Sequence, residues 1–187
     1  MTLRNILIAT LFFSSTIHAE NSIGIDINSD DVKVLASVNL NTLADYANGT
    51  TYILDTSYLR SDGDNLTRIG FSGQNRLQGI EGLTLAFGLK GVFASDFLAF
   101  PLMAKATYEL PLKDSIPTTS LSLNLAYAPS VLSFRDADNY SDFRLEADME
   151  VISNIHLFTG YRNISTNYNS NDKTFNNSFY GGLKLSF

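Results

Sequence analysis

Residues 143–151 read Phe-Arg-Leu-Glu-Ala-Asp-Met-Glu-Val. Phe143, Leu145, Ala147, Met149 and Val151 alternate with Arg144, Glu146, Asp148 and Glu150. A period of two places the apolar set on one face of a β-strand and the charged set on the other. The same period recurs down most of the chain. Ile23, Ile25 and Ile27 alternate with Gly24 and Asp26, and Val32, Val34, Ala36 and Val38 with Lys33, Ser37 and Asn39. Further runs set Leu54 and Tyr58 against Asp55, Ile69 and Phe71 against Arg68, and Leu85, Phe87 and Leu89 against Lys90. Leu102, Ala104 and Ala106 then alternate with Lys105, Leu121, Leu123 and Leu125 with Ser122 and Asn124, and Ile155, Leu157 and Tyr161 with His156 and Arg162. The last run, Phe179 to Phe187, sets Leu183 and Leu185 against Lys184 and Ser186.

About ten such runs are separated by turn signals. Most approach the roughly 9–11 residues with which a tilted strand crosses a hydrocarbon layer. The first two are short and would also serve as one bent strand, so eight strands is a second solution. The stretch near Asp45 reads as a turn or at most one short helical turn. The expected fold is therefore all-β, one antiparallel up-and-down transmembrane barrel.

Alternation alone does not say which face meets water. A soluble sheet turns its charges outward. An outer-membrane barrel puts the apolar row on lipid and the charges in the lumen. The N-terminus separates the two. Arg4, an apolar run from Ile6 to Phe13, small polar residues and Ala19 form the layout of a secretory signal peptide. Residues 1–19 are thus expected to be the leader, and 20–187 the barrel. No later segment reads as a spanning helix, because the best candidate is broken by Lys90, Asp96, Pro101 and Lys105. If the chain enters a membrane, it does so as strands.

Charge and cysteine content narrow the function. Loss of Arg4 leaves 12 basic against 19 acidic residues, a net charge of −7, which is poor for a nucleic-acid partner. With no cysteine, thiol catalysis and Cys-based metal sites are excluded, and an exported chain needs a large core or a closed barrel for stability. There is no Trp, so Tyr52, Tyr58, Tyr108, Tyr127 and Tyr161, near the ends of the apolar rows, are the candidates for interfacial girdles. Counting strands back from the C-terminus puts residues 75–82, 110–117 and 153–154 on the periplasmic side. Residues 61–65, 93–96, 135–139 and 165–176 then face outward, and only the last reads as more than a tight connection.

The stretch Tyr-Ala-Pro-Ser at 127–130, the acidic turn at 135–139, the charged strand after it and the Gly-Tyr-Arg ending at Arg162 resemble the YfaZ family of bacterial outer-membrane proteins. The hairpin at 57–65 and the terminal Gly-Gly-Leu-Lys-Leu-Ser-Phe are also similar to that family. The resemblance implies a small outer-membrane barrel of a Gram-negative bacterium and brings no catalytic residues with it. A terminal strand ending on Phe187 likewise resembles the signal read by the barrel-assembly machinery.

On this reading Lys33, Asp55, Arg68, Lys90, Lys105, Glu109, Arg144, Glu146, Asp148, Glu150, Arg162 and Lys184 line the lumen. Phe143, Leu145, Met149, Leu183, Leu185 and Phe187 face lipid. At about ten strands the interior is only modestly wider than the eight-stranded case that side chains fill, so a largely filled, salt-bridged lumen is expected. Catalysis is not expected: His18 leaves with the leader, and His156, at the periplasmic start of its strand, is the one histidine of the mature chain. Asp62, Asp64 and Asn65, and Asp136, Asp138 and Asn139, are rich in oxygen ligands, but they lack calcium-loop spacing and suit hairpin turns. No metal or cofactor is expected. The five Asn-X-Ser/Thr matches, at Asn48, Asn65, Asn139, Asn163 and Asn176, carry no weight in a bacterial Asn-rich chain. The expected role is structural, surface or minor transport in the outer membrane, with lipid and lipopolysaccharide as neighbours. A narrow channel for small hydrophilic solutes and a soluble lipocalin-like ligand carrier are the alternatives.

Overall fold

The computed structural model describes residues 21–42, 49–112, 116–168 and 172–187. The leader and most of the stretch near Asp45 lie outside them. Twelve strands follow in order: β1 (Ser22–Ile27), β2 (Asp31–Asn39), β3 (Thr51–Ser61), β4 (Asp64–Arg76), β5 (Leu83–Ala94), β6 (Phe97–Ala99), β7 (Leu102–Glu109), β8 (Thr119–Ala128), β9 (Ser133–Arg135), β10 (Ala137–Ile152), β11 (Ile155–Tyr168) and β12 (Asp172–Ser186). Ten of them form one wall. Each pairs antiparallel with its neighbour in the chain, β4 pairs with β5, and β1 pairs with β12 from Ser22↔Ser186 to Ile27↔Gly181. The wall is a closed ten-stranded barrel. β6 and β9 stand apart from it. They pair with each other, Phe97↔Arg135 to Ala99↔Ser133, and make a short ribbon at one end.

The local chemistry explains the turns. Asp62 and Gly63 both have positive φ, 48° and 89°, and join β3 to β4 in a two-residue hairpin of the kind that matches strand twist. Asn28 Oδ1 accepts from the backbone N–H of Asp30 (2.8 Å) and Asp31 (2.7 Å), so its side chain builds the β1–β2 turn. β1 and β2 are therefore two strands, not one bent one. The Asn-rich stretch at 165–176 also differs from expectation. Its residues up to Tyr168 extend β11, and those from Asp172 open β12. The connections expected to be tight, after β5 and after β8, instead supply the ribbon.

Alternation continues around the wall. The apolar rows, such as Ile23, Ile25, Val32, Val34, Leu121, Leu123 and Leu125, are exposed on the outside. The inner row is polar or small, and two inward glycines make room for rings. A Cβ at Gly182 would run into the Phe158 ring, and one at Gly160 would meet the Tyr180 hydroxyl at 2.8 Å. Phe158 and Tyr180 meet edge to face, with ring centroids 6.2 Å apart and planes 67° to each other.

Gly182→Ala should displace Phe158. The overpacking is expected to cost about 1–3 kcal/mol, read as a lower urea midpoint for the lipid-reconstituted protein.

Candidate functional site

The interior divides into three layers. The end that carries the β6–β9 ribbon is filled by apolar side chains: Leu59, Leu66, Val92, Phe97, Ala99, Ala128, Ala137, Tyr140, Ile164 and Phe175 pack as one cluster. Phe97, on the ribbon, has no exposed surface and lies between Tyr140 (5.8 Å) and Phe175 (5.2 Å). Phe175 reaches this plug through a bulge. Ile164 pairs with Asn176 and Ser165 with Thr174, so Phe175 is an extra residue. Phe175 and Asn176 are consecutive yet both buried, which strict alternation forbids and a bulge permits.

Beneath the plug is a layer of charge. Arg162 Nη1 donates to Asp26 (2.5 Å), its Nη2 to Asp31 (3.5 Å) and its Nε to Asn176 (2.8 Å). Lys33 donates to Asp26 at 3.0 Å, and the Asn176 amide donates to Asp31. Arg162 also lies 4.8 Å from the centre of the Tyr180 ring. A second group joins Arg68 (2.7 Å) and Arg144 (3.2 Å) to Asp142. These pairs resolve a conflict in register, because Arg144 and Arg162 stand directly opposite each other on β10 and β11. Like charges so placed repel. Asp142 draws one away and Asp26 the other.

The third layer is open. A chamber of about 1170 Å³ runs from the charge layer to the end that carries the termini, where Ser22, Asn154, Ser186 and Phe187 form its mouth. Lys33, Asp55, Arg68, Lys90, Lys105, Arg144, Glu146 and Lys184 line it. A neighbouring hollow of about 600 Å³ at the same mouth is lined by Glu109, Asp148, His156 and Lys184, among others. Asp148 there accepts from Lys184 (2.6 Å) and lies 2.6 Å from His156 Nδ1. Glu146 accepts from the Tyr180 hydroxyl at 2.8 Å. Glu150 accepts from the Asn154 N–H at 2.9 Å and so caps the β10–β11 turn.

The twelve residues expected in the lumen thus do not form one site. Arg162 is sealed in the charge layer, Glu150 is spent on a turn, and Glu109 and Asp148 sit at the mouth. The filled lumen expected from strand number holds for the ribbon end and fails for the other, where the inner wall carries small residues such as Ala86, Ser72 and Thr107. Phe143, Leu145, Leu183 and Leu185 are exposed on the outside and Met149 shares their row. Phe187 follows the last strand residue, Ser186; it is half-buried, its N–H donates to the Asn21 carbonyl at 3.0 Å, and it borders the chamber mouth. Asp26, Asp31, Asp142 and the plug were missed as site residues. Extending the period of two back from Phe143 would have found Asp142 and Tyr140. No spacing rule signals the ribbon.

Fold and interior together define a porin-like barrel, closed in the wall and stoppered at one end. A porin with KdgM's name, solved in complex with disordered oligogalacturonate, is similar over 89% of this chain and 98% of its own, with 12% identity and a TM-score of 0.50. A second KdgM porin structure gives 11% identity, the same coverage and a TM-score of 0.47. A NanC porin gives 10% identity over 90% of this chain and 98% of its own, with a TM-score of 0.44. Comparison with curated proteins gives no match. The family profile described as YfaZ precursor matches residues 8–187, and the chain belongs to the YfaZ family.

Arg162→Met should leave buried Asp31 without a cation and Asp26 with Lys33 alone. The loss is expected to be about 3–5 kcal/mol, measured by urea unfolding in lipid, and Asp31→Asn added to it should recover part of that loss.

Proposed function

We propose that this protein is an integral outer-membrane barrel, exported by its leader, that provides a narrow and normally shut passage for small hydrophilic solutes. The observation that carries this reading is the chamber. A barrel needed only as a scaffold gains nothing from leaving half its lumen open beneath a stopper held on a short ribbon. The apolar outer wall, with Tyr52, Tyr58, Tyr108 and Tyr127 exposed on it, suits a bilayer with aromatic edges. Lipid and lipopolysaccharide are then its neighbours, and the C-terminal strand, which closes the wall against β1, is the element offered to the assembly machinery. The termini and chamber mouth face the periplasm, and the ribbon faces outward. The reading assigns no catalytic role. His156 Nδ1 is held by Asp148, which also takes Lys184, so the imidazole is tied into an ion pair at the mouth.

A second reading has one observation in its favour. Phe97 is completely buried and the charges behind it are paired, which fits a permanently sealed surface barrel.

Planar-bilayer recordings separate the two. The passage reading expects rare, small openings in the natural protein and a marked rise in open time in Phe97→Ala, which loses the central ring of the stopper. Silence in both, with the folded, heat-modifiable band on gels, supports the sealed barrel. Leu145→Arg tests the membrane face. It should cost about 2–4 kcal/mol near the bilayer midplane and reduce assembly, whereas Glu146→Leu on the opposite face should assemble. The reverse result would mean that the chain turns its charges to solvent.

A further inference from the structure

The close pairs in the charge layer place four cations, Lys33, Arg68, Arg144 and Arg162, on three carboxylates. The chamber wall adds Lys90 and Lys105, and against them Asp55 and Glu146. Lys184, on the same wall, is taken up by Asp148, which leaves one side-chain positive charge over. Lys90 and Lys105 have no carboxylate within ion-pair distance among the described residues. Lys90 is 5% exposed and borders the chamber, with no direct partner for its ammonium in the wall. Asp55 and Asp142 reach it only through space. An ammonium that borders a cavity without a carboxylate of its own is available to an anion from outside. Nearby, Arg144 Nε is buried and unbonded, and it follows Asn124 and Lys105 in one cross-strand row on β10, β8 and β7.

We propose that the chamber is a binding site for the carboxylate of a small hydrophilic solute, held by Lys90, Lys105 and Arg144 and entering from the end that carries the termini. One surplus charge matches a monoanion better than a dianion such as phosphate. Hydroxyls of Ser57, Ser72 and Thr107 on the same wall offer donors and acceptors to a hydroxylated body. The site rests on the barrel reading but not on passage of solute.

The test titrates the folded full-length protein in detergent, at low ionic strength, with gluconate and with its uncharged counterpart glucitol, followed by calorimetry. Gluconate should bind and glucitol should not, with inorganic phosphate weaker than gluconate. Lys90→Gln and Lys105→Gln should each weaken gluconate about tenfold, and raising salt should do the same. Neither change strands a paired carboxylate, and Lys105 alone decides the matter if Lys90→Gln does not fold. Arg60→Gln, on the outer wall, should leave binding unchanged. Equal binding of glucitol, or gluconate affinity unmoved in both lysine variants, would overturn the site. A barrel that binds gluconate but passes no current keeps the site and removes the passage. Current without gluconate binding removes the site and keeps the passage.

Discussion

The seam between β1 and β12 is the constraint from which the remaining features follow. A sheet of ten strands left open would expose two rows of unpaired backbone groups. In hydrocarbon each such group costs several kcal/mol, so a spanning sheet must close. Closure here joins the first described strand to the last through six register pairs, from Ser22↔Ser186 to Ile27↔Gly181. Once the ring is shut, each strand has an inside and an outside, and the period of two in the sequence becomes a physical partition.

That partition creates the interior problem. Ten strands enclose more space than their inward side chains fill if those are small. The chain answers differently at its two ends. At one, the β6–β9 ribbon folds Phe97 into the opening, and a bulge turns Phe175 toward it. At the other, alanine, serine and threonine leave the space open. Between them the inward charges must be satisfied without bulk water, and the facing pair Arg144 and Arg162 makes this acute. Asp26, Asp31 and Asp142 settle it by drawing the two guanidinium groups apart. Folding, sealing and charge pairing are thus coupled in one layer, and Lys90 and Lys105 are left facing the chamber.

Much of the wall was legible in the sequence, because period-two alternation is a local signal that each strand carries alone. The hairpin at Asp62–Gly63 was legible for the same reason. The ribbon was not. Its strands are three residues each, too short for a period to show, and they pair across the 33 residues between Ala99 and Ser133. Which inward charges meet was also hidden, since Asp26 and Arg162 are brought together by ring closure, not by spacing. Phe175 escaped because a bulge breaks the alternation that reveals its neighbours.

The central claim is a wall against lipid, a dry stopper and a wet chamber. The absence of native cysteine permits a direct test by nitroxide labels on single cysteines, Leu145→Cys, Ala99→Cys and Thr107→Cys, in reconstituted bilayers. The account predicts that the label at 145 collides with oxygen more than with a water-soluble nickel complex. The label at 107 should show the opposite, and the label at 99 should be shielded from the nickel complex. Preference for the nickel complex at 145, with exclusion of it at 107, would contradict the account.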